Sequence, residues 1–195
     1  MDTTVRDLQG RRMLVGVTGG IAAFKTAALV STLAQRGAEV TVAMTEAATR
    51  FVSAQSFAAL AGRPVITDIW SDATAAGGGE VRHIAVADAI DVALVAPCSM
   101  DCLARLATGR ADDPVALILA ATDRARVPVL LSPSMNRVML AQPSTQRNIA
   151  QLRGDGFVIL DAESGWQACR HVGPGRMPEP ETLMAAIDEA IARRQ

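Results

Sequence analysis

Cys169-Arg170-His171 sets a thiol beside two groups that carry or acquire positive charge, and neighbouring positive charge favours the reactive thiolate. Two readings stay open: a loop thiol with catalytic potential, or a small buried hydrophobe. Asn136 closes Pro133-Ser134-Met135-Asn136, which follows an apolar run. Its amide could donate to a carboxylate and accept from an amine, or it could simply cap a helix. His83 offers an imidazole able to accept a proton near neutral pH; the alternative is a surface or capping residue. Thr18-Gly19-Gly20-Ile21 also ends an apolar run, where a helix is expected to begin. Free amides and the positive dipole end there suit a phosphate, although GxGxxG is not met and a ligand-free turn fits equally. Cys98, Cys102, Cys169 and His171 could supply four zinc ligands. The second pair lacks the usual ligand spacing, and Cys98-x-x-x-Cys102 straddles an expected strand-to-helix turn, so at least one of those two reads as core.

The elements that must position these residues alternate. Residues 13–17 read as a strand, 21–36 as a helix with Ala22, Leu29 and Leu33 at helical spacing, 40–44 as a second strand and 45–60 as a helix. Residues 65–70 read as a short strand or extended segment, and 71–80, rich in Gly and Ala, as a mobile loop. A short helix is expected over 83–88, strands at 92–96, 127–131 and 157–160, and helices at 103–107, 115–122 and 144–152. Continuous apolar strands indicate a sheet buried on both faces. Residues 165–178 lack periodicity and read as a long functional loop. From Glu181 onward, Leu183, Met184, Ile187 and Ile191 share one face of a closing helix. This pattern predicts a single-domain, three-layer, doubly wound α/β fold of the Rossmann or flavodoxin-like kind, with a parallel sheet. Ligands of such folds bind beyond the carboxyl ends of the strands, here residues 18–21, 45–47, 97–102 and 133–136.

Composition narrows the partners. The 195 residues, 50% of them hydrophobic, suffice for one core, with residues 1–12 as a polar extension. Lys plus Arg number 19 against 20 for Asp plus Glu, without long runs, so no basic stripe points to nucleic acid and a small molecule or protein is the expected partner. Neither a membrane span nor a signal-peptide core is evident, and a cytoplasmic protein is expected. Three cysteines, an odd count, suit reduced thiols. Aromatics make up 3% and Tyr is absent, so the core must be aliphatic and a planar ligand finds few stacking partners.

Taken together, VTGGIAAFK (17–25), TEAATRF (45–51), His83-Ile84, PSMN (133–136) and ACRHVGPGRMPEP (168–180) resemble the flavin-containing cysteine decarboxylase family over nearly the whole chain. PSMN and the last segment are the specific motifs. The resemblance implies FMN as cofactor, with Gly19, Gly20 and Ile21 near its phosphate and Thr45, Ala47, Ser99, Asp101 and Ser134 at the other cofactor positions. It implies His83 as base, Asn136 as the holder of the substrate carboxylate and Cys169 as proton donor. The implied reaction is decarboxylation of 4'-phosphopantothenoylcysteine to 4'-phosphopantetheine for coenzyme A, in a trimer or trimer-based assembly with sites between subunits. A separate phosphopantothenate-cysteine ligase would be a partner. Two alternatives accompany it: decarboxylation of a peptide's C-terminal cysteine, and an inactive flavin-binding regulatory subunit. The chain departs from the family pattern at Arg170 and His171, where Gly-Asp is usual, at Leu140, where Trp is common, and at Asp101, where an amide is usual and an acid could repel the flavin phosphate.

Overall fold

The computed structural model describes residues 8–70 and 82–193. The expected loop at 71–80 and most of the polar extension lie outside the described residues. β1 (Arg12–Val17) leads through the glycine turn into α1 (Ala23–Gln35), and β2 (Glu39–Met44) returns parallel to β1. After α2 (Glu46–Thr49), α3 (Ala54–Ala61) and α4 (Arg82–Ala89), β3 (Val92–Cys98) pairs with the other edge of β1. α5 (Met100–Ala107) and α6 (Pro114–Ala121) precede β4 (Val129–Pro133); α7 (Arg137–Ala141) and α8 (Pro143–Gly154) precede β5 (Val158–Ile159). The sheet is parallel throughout, in the order β2-β1-β3-β4-β5. This is the doubly wound α/β architecture expected from the alternation of strands and helices.

Side-chain alternation along the strands divides the interior into two cores. Val15, Val17, Val42, Leu94 and Leu130 pack with α1, α3 and the last helix, α9 (Pro180–Ala192). Leu14, Ala43, Val95 and Leu131 pack on the other face with α4, α5, α6 and α8. Each fully buried Leu, Ile or Val contributes about 1.5–3 kcal/mol. α9 closes the first core through Leu183 and Ile187, and the Arg36–Asp188 pair at 3.1 Å ties it to the end of α1.

Several expectations need correction. Residues 45–60 form two helices, because Thr45 accepts from Ala48 N–H at 3.3 Å and Ser53 accepts from Gln55 N–H at 3.2 Å, so each hydroxyl starts its own helix. Of the two readings of residues 65–70, the extended segment holds: one parallel bridge joins Ile66 to Ala43 in place of a strand. The expected loop at 165–178 is largely an antiparallel hairpin of β6 (Glu163–Trp166) and β7 (Val172–Arg176). Its Gly and Pro residues hide the period-2 pattern: β7 alternates exposed and buried positions, but the buried ones are Gly173 and Gly175, which carry no apolar side chain to mark them. α7 was not expected; five residues are too few to display a helical period.

Candidate active site

Strand order reverses at β1 and β3, and the carboxyl ends of these two strands are joined by one side chain. Buried Thr18 donates its hydroxyl to the Pro97 carbonyl at 2.7 Å and accepts from the Ser99 N–H at 2.9 Å, while its own N–H donates to the Pro97 oxygen at 3.3 Å. The latch holds the glycine turn against the start of α5. Ser99 caps that helix by accepting from Cys102 N–H at 3.2 Å. On the other side, a Cβ on Gly19 would stand 2.7 Å from the Ala47 Cβ, so a bare backbone at 19 lets the turn after β2 close in. The amides of Gly19, Gly20, Ile21 and Ala22 donate to no protein acceptor among the described residues. Four successive free N–H groups at a helix start form a cradle for an anion.

That cradle opens into a cavity of about 590 Å³, within the range of roughly 300–1,000 Å³ usual for small-molecule sites. Its apolar walls include Ile21, Phe24, Met135, Met139 and Trp166. Ser134 also faces it, and the Ser134 hydroxyl has no protein partner among the described residues. Asn136 lines the cavity and caps α7, its Oδ1 accepting from Met139 N–H at 2.9 Å. The two sequence readings of Asn136 therefore coexist: the cap occupies the oxygen, and among the described residues the NH2 end meets no acceptor and is left to donate. The hairpin supplies the opposite wall. Met135 N–H donates to Gly175 O at 3.0 Å, and Gly175 has φ +113°, where any Cβ would collide with the Met135 carbonyl oxygen. Cys169, at the hairpin tip, is exposed, lines the same cavity and directs its thiol to Gln167 Oε1 at 3.5 Å. The next residue, Arg170, adopts φ +63°, a conformation that glycine takes without cost.

The cavity thus brings together Gly19, Gly20, Ile21, Ser99, Ser134, Asn136 and Cys169. Thr45, Ala47, Asp101 and His83 do not line it within this one chain. Thr45 and Ala47 shape the turn behind Gly19. Asp101, 70% exposed at its side chain, forms an ion pair with Arg105 at 2.7 Å. His83 sits half-buried in the first turn of α4. Sequence reasoning gave no role to Lys25 or Gln167. Lys25 lies one helical turn beyond Ile21, a spacing that places it on the same face. It reaches Glu179 at 2.9 Å, and Arg176 pairs with the same carboxylate. The Lys25 hydrogen bond is the main influence holding the Glu179 carboxyl below its ordinary range.

The zinc reading of three cysteines and one histidine finds no support in the arrangement. Cys98 and Cys102 are both buried, and among the described residues no three His, Cys, Asp or Glu side chains gather to hold a metal. The contact with Cys98, then burial, holds the Cys102 thiol well above the ordinary thiol range.

Fold and cavity define a doubly wound α/β protein built to hold an anionic small molecule beside an amide and a thiol. The chain belongs to the Flavoprotein family, whose model matches residues 1–192. It is 42% identical over 185 residues to the coenzyme A biosynthesis bifunctional protein CoaBC of Vibrio vulnificus, covering 95% of this chain and 45% of that protein. The chain therefore spans less than half the length of that relative. Among solved structures it resembles a cysteine-to-serine mutant of PPC decarboxylase complexed with pantothenoylaminoethenethiol, with TM-score 0.82, 26% identity and coverage of 93% of this chain and 98% of the other. It also resembles the FMN-dependent cysteine decarboxylase SpaF, with TM-score 0.80, 27% identity and coverage of 96% and 98%.

Proposed function

We propose that this chain is an FMN-dependent decarboxylase that converts 4'-phosphopantothenoylcysteine to 4'-phosphopantetheine in coenzyme A biosynthesis. The observation that carries the reading is the meeting, in one cavity, of the free amides at 19–22, the Asn136 amide and the Cys169 thiol. Similarity to CoaBC and to the two decarboxylases supports it. The cradle and cavity fit FMN: free N–H groups meet its phosphate and apolar walls flank the ring. When bound, FMN supplies reversible two-electron oxidation of the substrate's thiol-bearing carbon.

The chain's own groups do the rest. Gly19, Gly20 and Ile21 hold the phosphate through their amides, with Ser99 and Ser134 beside them. Thr45 and Ala47 support that turn from behind. Arg105 offsets the charge of Asp101, so the acid at this position does not bar an anionic cofactor. The Asn136 NH2 group receives the substrate carboxylate and holds it where loss of carbon dioxide leaves electrons conjugated with the sulfur-bearing carbon. The Cys169 thiol then gives a proton to the carbon that lost carbon dioxide. His83 acts as base from a neighbouring subunit of a trimer. Exposed Ile21, Phe24, Ile84 and Val138 are apolar surface that such an assembly would cover. In this reading residues 1–195 act as one domain, in the cytoplasm, and a phosphopantothenate-cysteine ligase supplies the substrate. Among the described residues no helix is long and apolar enough to cross a membrane.

The test is to purify the protein, record its flavin absorbance, and assay 4'-phosphopantothenoylcysteine and a peptide ending in cysteine side by side. Yellow protein that turns over the first substrate supports the reading. Turnover of the peptide alone reassigns the substrate, and yellow protein inert toward both leaves the regulatory alternative.

A further inference from the structure

Gln167 is held at both ends of its side chain. Its Nε2 donates to the Pro174 carbonyl at 2.8 Å and sits 3.5 Å from the Gly173 carbonyl, while its Oε1 accepts from the Cys169 thiol at 3.5 Å. Its backbone closes the hairpin tip as well: Gln167 N–H donates to His171 O at 2.9 Å, and Arg170 N–H donates to Gln167 O at 2.8 Å. The amide therefore spans the hairpin from β7 to the thiol, and both Gln167 and Cys169 line the cavity. A cysteine at an exposed turn otherwise has its side-chain rotamers free, and fixing one of them requires a partner. Because an amide oxygen can only accept, its bond to sulfur exists only while the thiol carries its proton.

We infer that Gln167 is a positioning residue: clamped to the Pro174 carbonyl, it holds the Cys169 thiol in place for the proton transfer that completes the reaction. The inference rests on the decarboxylase reading above. In that step the Cys169 S–H bond breaks and a C–H bond forms at the carbon that lost carbon dioxide. Rotation about Cβ–Sγ turns the proton from Gln167 to the substrate without moving the sulfur. The two electrons withdrawn from the substrate at the outset return as hydride to its sulfur-bearing carbon, and solvent reprotonates the Cys169 thiolate. The cycle consumes one proton and releases one carbon dioxide. Decarboxylation precedes the Cys169 step, so loss of the clamp leaves carbon dioxide release in the first turnover near the wild-type rate and diverts product to the unreduced ene-thiol, the two electrons withdrawn from the substrate passing to dioxygen before the next turnover.

The experiment compares wild type, Gln167→Met and Cys169→Ser, all loaded with FMN, by carbon dioxide release and mass spectrometry of the thiol products. Gln167→Met keeps side-chain length and removes both hydrogen bonds; the ratio of ene-thiol to saturated thiol rises on the order of tenfold to a hundredfold, as expected for a displaced reacting group. A second readout needs no turnover. Iodoacetamide labels Cys169 faster in Gln167→Met, because the sulfur is no longer tied to Gln167 Oε1 and turns freely toward the reagent. If Gln167→Met does not retain flavin, Gln167→Glu, which keeps an acceptor and loses the link to Pro174, shows a product ratio between wild type and Cys169→Ser. A wild-type product ratio or an unchanged labelling rate overturns the assignment alone. A flavin-loaded wild type that releases no carbon dioxide overturns the decarboxylase reading, and this assignment with it.

Discussion

Replacing Thr18 by Val removes one hydroxyl and keeps the side chain's shape. The group is buried and makes two hydrogen bonds, donating at 2.7 Å to Pro97 O and accepting at 2.9 Å from Ser99 N–H. Pro97 O keeps the Thr18 N–H as a donor, but the Ser99 N–H loses its partner. Leaving one partly buried donor unpaired costs about 1–3 kcal/mol. For a chain of this size that corresponds to a fall in Tm of roughly 2–4 °C per kcal/mol. The matched control is Thr32→Val, whose exposed hydroxyl bonds Ala28 O at 3.1 Å, with an effect within about 0.5 kcal/mol. Urea titration of both variants gives the difference directly. Flavin affinity supplies the second readout, because Thr18 sets the glycine cradle against Ser99. If Thr18→Val is as stable as Thr32→Val and binds flavin as wild type does, the latch does not organise this end of the sheet.

The hairpin gives two further expectations of opposite sign. Arg170→Gly relieves a left-handed residue and raises stability by about 1 kcal/mol at most, read by thermal melting. Gly175→Ala forces a Cβ against the Met135 carbonyl, costs about 1–3 kcal/mol and loosens the hairpin from residues 133–136, read by urea titration and loss of flavin affinity. Glu179, held below its ordinary range chiefly by the Lys25 hydrogen bond, adds stability that is fully present above pH 4.5 and lost as pH falls through its lower folded value. Glu179→Gln flattens that part of an acid titration of stability. A thiol reagent labels Cys169 in the native protein and reaches Cys98 and Cys102 only on unfolding, because both are buried; mass mapping after brief labelling checks this.

The framework was legible because buried parallel strands write themselves as uninterrupted apolar runs. Residues 92–96 could be little else, and the glycine turn after β1 announced a helix start. Asn136 and Cys169 were legible as chemistry but not as geometry. The capping bond of Asn136 and the Gln167 contact of Cys169 depend on side-chain torsions that no spacing encodes. The break between α2 and α3 was hidden because Ser53, a capping residue, sits among residues that also suit a helix interior. The hairpin was missed for a different reason: it stands on residues 133–136 through the Met135–Gly175 backbone bond and needs no apolar face of its own. Arg170 stands out in the sequence only as a departure from the Gly usual in the resembled family, and its φ of +63° appears once the turn is built.

The most direct test incubates the flavin-loaded chain with 4'-phosphopantothenoylcysteine and counts carbon dioxide against thiol product. The account predicts one carbon dioxide for each 4'-phosphopantetheine from wild type, and, with dioxygen present to take up the two electrons left behind, carbon dioxide with the unreduced ene-thiol from Cys169→Ser. A flavin-loaded wild type that releases no carbon dioxide from this substrate contradicts it.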